Sequence, residues 1–101
     1  MLEKLTPEQI KIALDRLDGW QLDSNAIVRK VTFNDFNQAF GVMTRIALKA
    51  ENLGHHPEWF NVYNRLDIRL STHDVGGLSE LDFRLAQAIN EYVVEALSPP
   101  S

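Results

Sequence analysis

The sequence contains no cysteine, and this absence removes several kinds of chemistry at once. Without thiols the chain can form no disulfide, offer no thiolate nucleophile and supply no thiolate ligand to a metal ion. Any catalysis must therefore use histidine, aspartate, glutamate, tyrosine or the backbone.

An excess of basic residues is also lacking. Ten Lys and Arg stand against 14 Asp and Glu, which gives a net charge of −4 and a pI near 5.2. The basic residues are scattered singly, whereas affinity for a phosphate backbone comes mostly from clustered Lys and Arg. The composition therefore argues against direct binding of nucleic acid.

Long hydrophobic runs are absent as well. The purely apolar stretches are only a few residues long, far short of the roughly 20 residues that span a membrane. Met1-Leu2-Glu3-Lys4 does not resemble the start of a signal peptide, so we expect a cytoplasmic protein with no membrane association. With 101 residues, 45% of them hydrophobic and 24% charged, the chain is expected to form one globular domain, residues 1–101.

Three segments have the apolar spacing of amphipathic helices. The first starts at the capping box Thr6-Pro7-Glu8-Gln9 and stops at Asp18-Gly19, the second runs from Asn34-Asp35 to Gly54, and the third starts at Ser79-Glu80-Leu81-Asp82. The residues predicted to face the core are Ile10, Ala13, Leu14 and Leu17 in the first helix; Phe36, Phe40, Met43, Ala47 and Ala50, widened by Val42, Ile46 and Leu53, in the second; and Leu81, Leu85, Ala88, Ile89, Tyr92 and Ala96 in the third.

Two pairs of short segments between the helices alternate apolar and polar residues, as half-buried strands do. Arg29 is an exception, because it falls on the apolar side of its segment. The predicted hairpins are residues 20–22 with 26–33, turning at Asp23-Ser24-Asn25, and residues 59–63 with 66–71, turning at Asn64-Arg65.

The resulting order α-β-β-α-β-β-α predicts an α+β fold. Antiparallel hairpins combined with helices favour a single four-stranded antiparallel sheet with the three helices packed on one face.

The chemically most unusual stretch is Glu51-Asn52-Leu53-Gly54-His55-His56-Pro57-Glu58-Trp59, which holds two of the three histidines. Histidine exchanges protons near neutral pH more readily than any other side chain. Pro57 forces His56 out of the helical conformation, so the two imidazoles are not expected to share a helix face. If the helical turn extends to His55, Glu51 lies beside it four residues earlier and can orient the imidazole; otherwise Glu51 is an ordinary solvated acid.

The third histidine follows the last predicted strand. If the alternation continues, His73 falls on the polar side together with Arg69 and Ser71. We therefore expect that His73 is not a core residue.

These residues together form a recognisable pattern. Glu51-x-x-x-His55-His56-Pro57, followed by Trp59, Tyr63, His73 and Asp82, resembles the signature of the pterin-4a-carbinolamine dehydratases, known in animals also as dimerisation cofactors of a homeodomain transcription factor. The resemblance extends from about Trp20 through the last helix.

The resemblance implies a hydro-lyase that converts 4a-hydroxytetrahydropterin to quinonoid dihydropterin and water. That reaction supports tetrahydrobiopterin recycling and links the protein functionally to an aromatic amino acid hydroxylase. The resemblance also implies a homo-oligomer, either a dimer or a tetramer, and a reaction that needs no metal and no organic cofactor.

Site residues follow from the same resemblance. The catalytic residues would be His55, His56 and His73, with His55 and His73 as acid and base in an order left open and His56 binding the pterin. The substrate-binding residues would be Glu51, which would support His55, Trp59 in the pocket wall, and Asp82. The other role open to Asp82 is that of third member of a helix capping box.

Two alternatives remain open on the sequence. Three imidazoles can hold a catalytic zinc ion, although adjacent histidines that diverge, with no pair spaced i, i+4 on a helix, fit such a site poorly. The chain could instead be a non-catalytic homo-oligomeric interaction module of the transcriptional cofactor type.

Overall fold

The computed structural model of the chain describes residues 2–99 and has the predicted α+β architecture. A short 3-10 turn, His73–Val75, precedes the last helix. The other elements, in chain order, are α1 (Pro7–Asp15), β1 (Gln21–Asp23), β2 (Ala26–Thr32), α2 (Phe36–Leu53), β3 (Glu58–Val62), β4 (Arg65–Leu70) and α3 (Glu80–Leu97).

The four strands form one antiparallel sheet in the order β1-β2-β4-β3. β2 and β4 pair along nearly their whole lengths, from Ile27 opposite Leu70 to Thr32 opposite Arg65. One face of this sheet is buried against the helices, which confirms the predicted fold class. The side chains that this face contributes to the core are Ile27, Val31, Leu66, Ile68 and Leu70.

The start of α1 agrees with the sequence prediction, and its end comes earlier than predicted. The Thr6 hydroxyl accepts a hydrogen bond from the Gln9 amide, and the Gln9 side chain accepts one from the Thr6 amide. Both bonds of the capping box are therefore present. The helix ends at Asp15, after which Leu17 enters the core.

The turn of the second hairpin lies one residue earlier than predicted. Val62 pairs with Arg65, so Tyr63 and Asn64 form the turn, and Tyr63 has a φ of 51°. The Asn64 amide side chain donates to the Phe33 carbonyl, and the Phe33 amide donates to the Asn64 carbonyl. This long-range contact holds Asn64 in the turn, and the local sequence pattern cannot reveal it.

The buried face of α2 differs from the predicted one. Phe36 and Phe40, which were expected in the core, are 47% and 55% exposed, and Ala47 is exposed too. The cause is that this helix carries apolar residues around more than one face, so periodicity alone does not show which of them meets the sheet. The residues of α2 that are buried are Ala39, Val42, Ile46 and Ala50.

Helix α3 packs beside α2, and its buried side includes three of the six predicted residues. Leu85, Ala88 and Ile89 are in the core. On the surface, Arg45 of α2 reaches across to α3, where its guanidinium lies 4.1 Å from the centre of the Tyr92 ring. The two longest helices therefore form one layer over the sheet.

Arg29 points toward the helices, as its position on the apolar side of β2 predicts. Its guanidinium donates to the Asn90 side-chain oxygen, which also accepts from the Trp20 indole at 2.8 Å. Burial lowers the pKa of Arg29, and the charge of nearby Asp18 opposes that change. The group thus links β2, α3 and the segment after α1.

Within residues 2–99, no helix combines the length and the apolarity that crossing a membrane would require.

Candidate active site

The end of α2 determines where His55 and His56 lie. Gly54 adopts a left-handed conformation, with φ 64° and ψ 31°, a common way for a helix to end. The His55 amide donates back to the Ala50 carbonyl at 3.0 Å. The chain therefore leaves the helical path just before the two histidines, and their side chains no longer follow the helix periodicity.

His55 is buried and forms a close pair with Asp82 at the start of α3. Its Nε2 lies 2.5 Å from Asp82 Oδ1, and the two residues are 8% and 0% exposed. An ionised carboxylate can only accept, so Nε2 carries the proton in this contact. Nδ1 has no hydrogen-bond partner among the described residues and is not sealed from solvent. Nδ1 is therefore the ring nitrogen of His55 that no other described residue engages.

The second oxygen of Asp82 is held from two sides. Oδ2 accepts from the Thr72 hydroxyl at 2.7 Å and from the Ser79 amide at 2.9 Å. The bond from Ser79 completes the capping box at the start of α3, where the helix dipole also favours a negative charge. The capping-box role of Asp82 is therefore confirmed, its contact with His55 was not predicted, and its role in binding substrate stays a prediction.

His56 pairs with Glu51, which corrects the predicted contact between Glu51 and His55. His56 Nε2 lies 2.5 Å from Glu51 Oε1. The prediction required the helical turn to reach His55, but α2 ends at Leu53 and Gly54 redirects the chain. Because the His56 and Glu51 side chains are 62% and 77% exposed, water screens this pair, and its main effect is to orient His56.

His73 lies in an exposed turn, so the expectation that it is not a core residue is confirmed. Its neighbour Thr72 closes the base of this turn, because the Thr72 amide donates to the Gly77 carbonyl at 2.7 Å. The Thr72 hydroxyl bonds the same carboxylate that holds His55. The structure thereby brings the His55 and His73 segments to one end of the sheet.

Trp59 lies in the edge strand β3, opposite Ile68 of β4. Its side chain is partly buried and packs against the hydrophobic core. Part of the indole is therefore structural, and its role in a pterin pocket stays a prediction.

Thr72 and Ser79 are contributors to this site that the sequence analysis did not single out. Both are buried, at 5% and 0% exposure, and their hydroxyl oxygens lie 2.6 Å apart. One signal was available: an aspartate at the third position of a capping box uses one oxygen for the cap and keeps another for a second partner. Nothing local indicates that the partners are Thr72 and His55.

In the part of the chain that the structure describes, no three His, Asp or Glu side chains converge as a metal site requires. The Nε2 atoms of His55 and His56 are engaged by separate carboxylates instead. The three-imidazole arrangement on which the zinc alternative depends is thus not present among residues 2–99.

Comparison with known families identifies the family of this chain. Residues 3–92 match the sequence model of the pterin 4 alpha carbinolamine dehydratase family. The chain belongs to this family. The family is named for a dehydratase, and dehydratases are hydro-lyases.

Relatives with curated names lie in the same family. A Burkholderia pseudomallei (strain 1710b) protein, provisionally named a pterin-4-alpha-carbinolamine dehydratase, is 54% identical over 93 residues, which are 90% of this chain and 92% of that protein. A Burkholderia multivorans protein with the same provisional name is 52% identical over 98 residues, 95% of this chain and 96% of the relative.

Two solved structures are similar to this one. The crystal structure of a Brucella melitensis protein described as a transcriptional coactivator/pterin dehydratase has a TM-score of 0.88 and 48% identity, covering 90% of this chain and 99% of that one. A pterin dehydratase-like protein described as a RuBisCO assembly factor has a TM-score of 0.61 and 17% identity, covering 73% of this chain and 86% of that one, so it shares the fold alone.

Proposed function

We propose that this chain dehydrates 4a-hydroxytetrahydropterin to quinonoid dihydropterin and water, in the cytoplasm, as a step of tetrahydrobiopterin recycling after an aromatic amino acid hydroxylase. The observation that carries the proposal is the buried pair of His55 and Asp82, tied through Thr72 to the turn that holds His73. Membership of the dehydratase family supplies the substrate class.

The reaction requires two proton transfers on neighbouring atoms of the pterin. The bond between C4a and the hydroxyl oxygen breaks as that oxygen takes a proton and leaves as water. N5 gives up a proton, and a double bond forms between C4a and N5. One proton is delivered and one is removed, so the site needs a donor and an acceptor, and we assign these tasks to His55 and His73.

The remaining site residues are assigned to binding. His56, oriented by Glu51, would contact the polar edge of the pterin. Trp59 would offer an aromatic face to the flat ring system at the margin of the core. Glu51 therefore acts on His56 in this proposal, and Asp82 takes the supporting role at His55.

The test compares the wild type, His73→Ala and the uncatalysed reaction, with loss of 4a-hydroxytetrahydropterin followed by absorbance. We expect catalysis by the wild type and a loss of about 10²–10⁴-fold in His73→Ala, because one proton-transfer group is gone. Because His73 is exposed, its replacement is not expected to disturb the fold.

Asp74→Ala is the matched control, since it removes the next exposed side chain of the same turn. It should keep most of the activity. If the wild type itself gives only the uncatalysed rate, the enzymatic proposal fails, and the non-catalytic interaction module is the better interpretation.

A second candidate role, assembly with further copies of this chain, is supported by exposed apolar surface. Phe36 and Phe40 lie side by side on α2, with ring centres 5.6 Å apart. At the sheet edge, β3 exposes Phe60 and Val62, at 61% and 46%. Exposed aromatic patches and unpaired strand edges are surfaces on which chains associate, so we propose a homodimer or homotetramer.

Assembly could serve the enzyme or an interaction module of the transcriptional cofactor type. The description of the Brucella melitensis relative names both a coactivator and a dehydratase.

The oligomer is tested by the mass of the particle in solution, measured by light scattering during gel filtration. The wild type should give a multiple of 11.5 kDa, and Phe40→Glu should lower that mass because it places a charge in the apolar contact. Ile12→Glu is the control, since Ile12 is similarly exposed, at 51%, but lies on α1. A monomeric wild type, or equal masses for all three proteins, would exclude assembly through α2.

A further inference from the structure

We propose that Thr72 is a positioning residue of the active site: its hydroxyl, backed by Ser79, fixes the Asp82 carboxylate so that His55 keeps its proton on Nε2 and presents Nδ1 to the substrate. The catalytic meaning of this inference rests on the proposed function. Its structural part can be measured without any turnover.

The positions of the oxygens determine the direction of each hydrogen bond. Asp82 accepts from the Thr72 hydroxyl, which uses the only proton that Thr72 Oγ1 has. The bond of 2.6 Å between the two hydroxyls must then run from Ser79 to Thr72. The Ser79 oxygen in turn accepts from the Leu81 amide. The hydrogen bonds therefore all run in one direction: the Leu81 amide donates to Ser79, Ser79 donates to Thr72, and Thr72 donates to Asp82.

The carboxylate can turn only if one of its partners is lost. Oδ2 is held by Thr72 and by the Ser79 amide, so Oδ1 faces His55. The four residues are at most 8% exposed, so water is poorly placed to replace a missing donor. Removal of the Thr72 hydroxyl leaves the Ser79 amide alone at Oδ2, and one donor fixes a carboxylate less well than two.

Thr72 also connects the two halves of the proposed site. Its backbone pairs with Gly77 and closes the turn that begins with His73, while its hydroxyl bonds the partner of His55. A single residue thus anchors the turn that carries one proposed proton-transfer group and orients the other. This placement distinguishes Thr72 from Ser79, whose hydroxyl reaches Asp82 only through Thr72.

The first test determines the tautomer of His55 by ¹⁵N NMR, at a pH where the spectrum itself shows a neutral ring. In the wild type and in Thr72→Ser, we expect the proton on Nε2. In Thr72→Val, which keeps the side-chain shape but lacks the hydroxyl, we expect a substantial fraction with the proton on Nδ1. An unchanged tautomer in Thr72→Val would overturn the proposal, because a merely structural threonine would not move this signal.

The second test measures dehydration by the same three proteins. We expect kcat to fall about 10–100-fold in Thr72→Val, with KM nearly unchanged. The reason is that displacement of the His55 imidazole by up to about 1 Å slows the chemical step without removing a contact that binds substrate. Thr72→Ser should recover most of the rate. Equal rates for Thr72→Val and the wild type would contradict the positioning role.

The two tests separate this inference from the proposed function. If the wild type has no dehydratase activity, the proposed function fails, and the tautomer experiment still decides whether Thr72 positions His55. Amide spectra establish that each variant is folded. Should valine not be accommodated, Thr72→Ala replaces it with the same expected change of tautomer.

Discussion

Replacing His55 by glutamine is expected to lower kcat for dehydration by about 10²–10⁴-fold, the usual contribution of a general acid or base. Glutamine can still donate a hydrogen bond to Asp82 from its amide, so the buried carboxylate keeps a partner. It has no nitrogen that can take up and release a proton at the place of Nδ1. Steady-state absorbance assays on protein shown to be folded measure the effect.

His56→Gln is the matched control for this variant. The two histidines are adjacent and each bonds one carboxylate through Nε2, but His55 is buried and His56 is 62% exposed. Because we assign His56 to binding, its loss should act mainly on KM. A kcat that falls as much in His56→Gln as in His55→Gln would refute the division of roles between the two side chains.

The stretch from Glu51 to Trp59 shows which features of the site can be predicted from the sequence and which cannot. It correctly marks the junction between a long helix and the second hairpin, and the divergence of the two imidazoles follows from Pro57. The predicted contact between Glu51 and His55 is wrong. Residues four apart lie side by side only within a helix, and Gly54 ends this helix before His55. The true partner, Asp82, lies 27 residues further along the chain and is brought there only by folding.

The same limit applies to the core. Alternation in the strands identified the buried face of the sheet, since a strand has only two faces to choose from. In α2 the apolar residues surround the helix, and Phe36 and Phe40 proved to be exposed. Which apolar stripe meets the sheet is decided by packing between distant segments, and surplus aromatic residues on the outside are the ones available for assembly.

The second large effect concerns stability, and Asp82→Ala is expected to lower the free energy of unfolding by about 3–5 kcal/mol, since it leaves three buried donors without their acceptor at about 1–3 kcal/mol each. The substitution removes the acceptor shared by His55, Thr72 and the Ser79 amide. Buried donors left without an acceptor are the physical cause of the loss. Urea unfolding at a fixed protein concentration, with the slope compared between variants, measures it.

Glu51→Ala is the matched control, because it breaks the same kind of contact at an exposed position instead of a buried one. It breaks a pair of the same type and the same length, 2.5 Å, but with both side chains mostly exposed. Screening by water limits the expected cost to about 0–1 kcal/mol. If Asp82→Ala costs no more than Glu51→Ala, the buried carboxylate does not organise this end of the fold. If the difference is as large as expected, the contacts that orient His55 are also among those that hold the start of α3 to the rest of the chain.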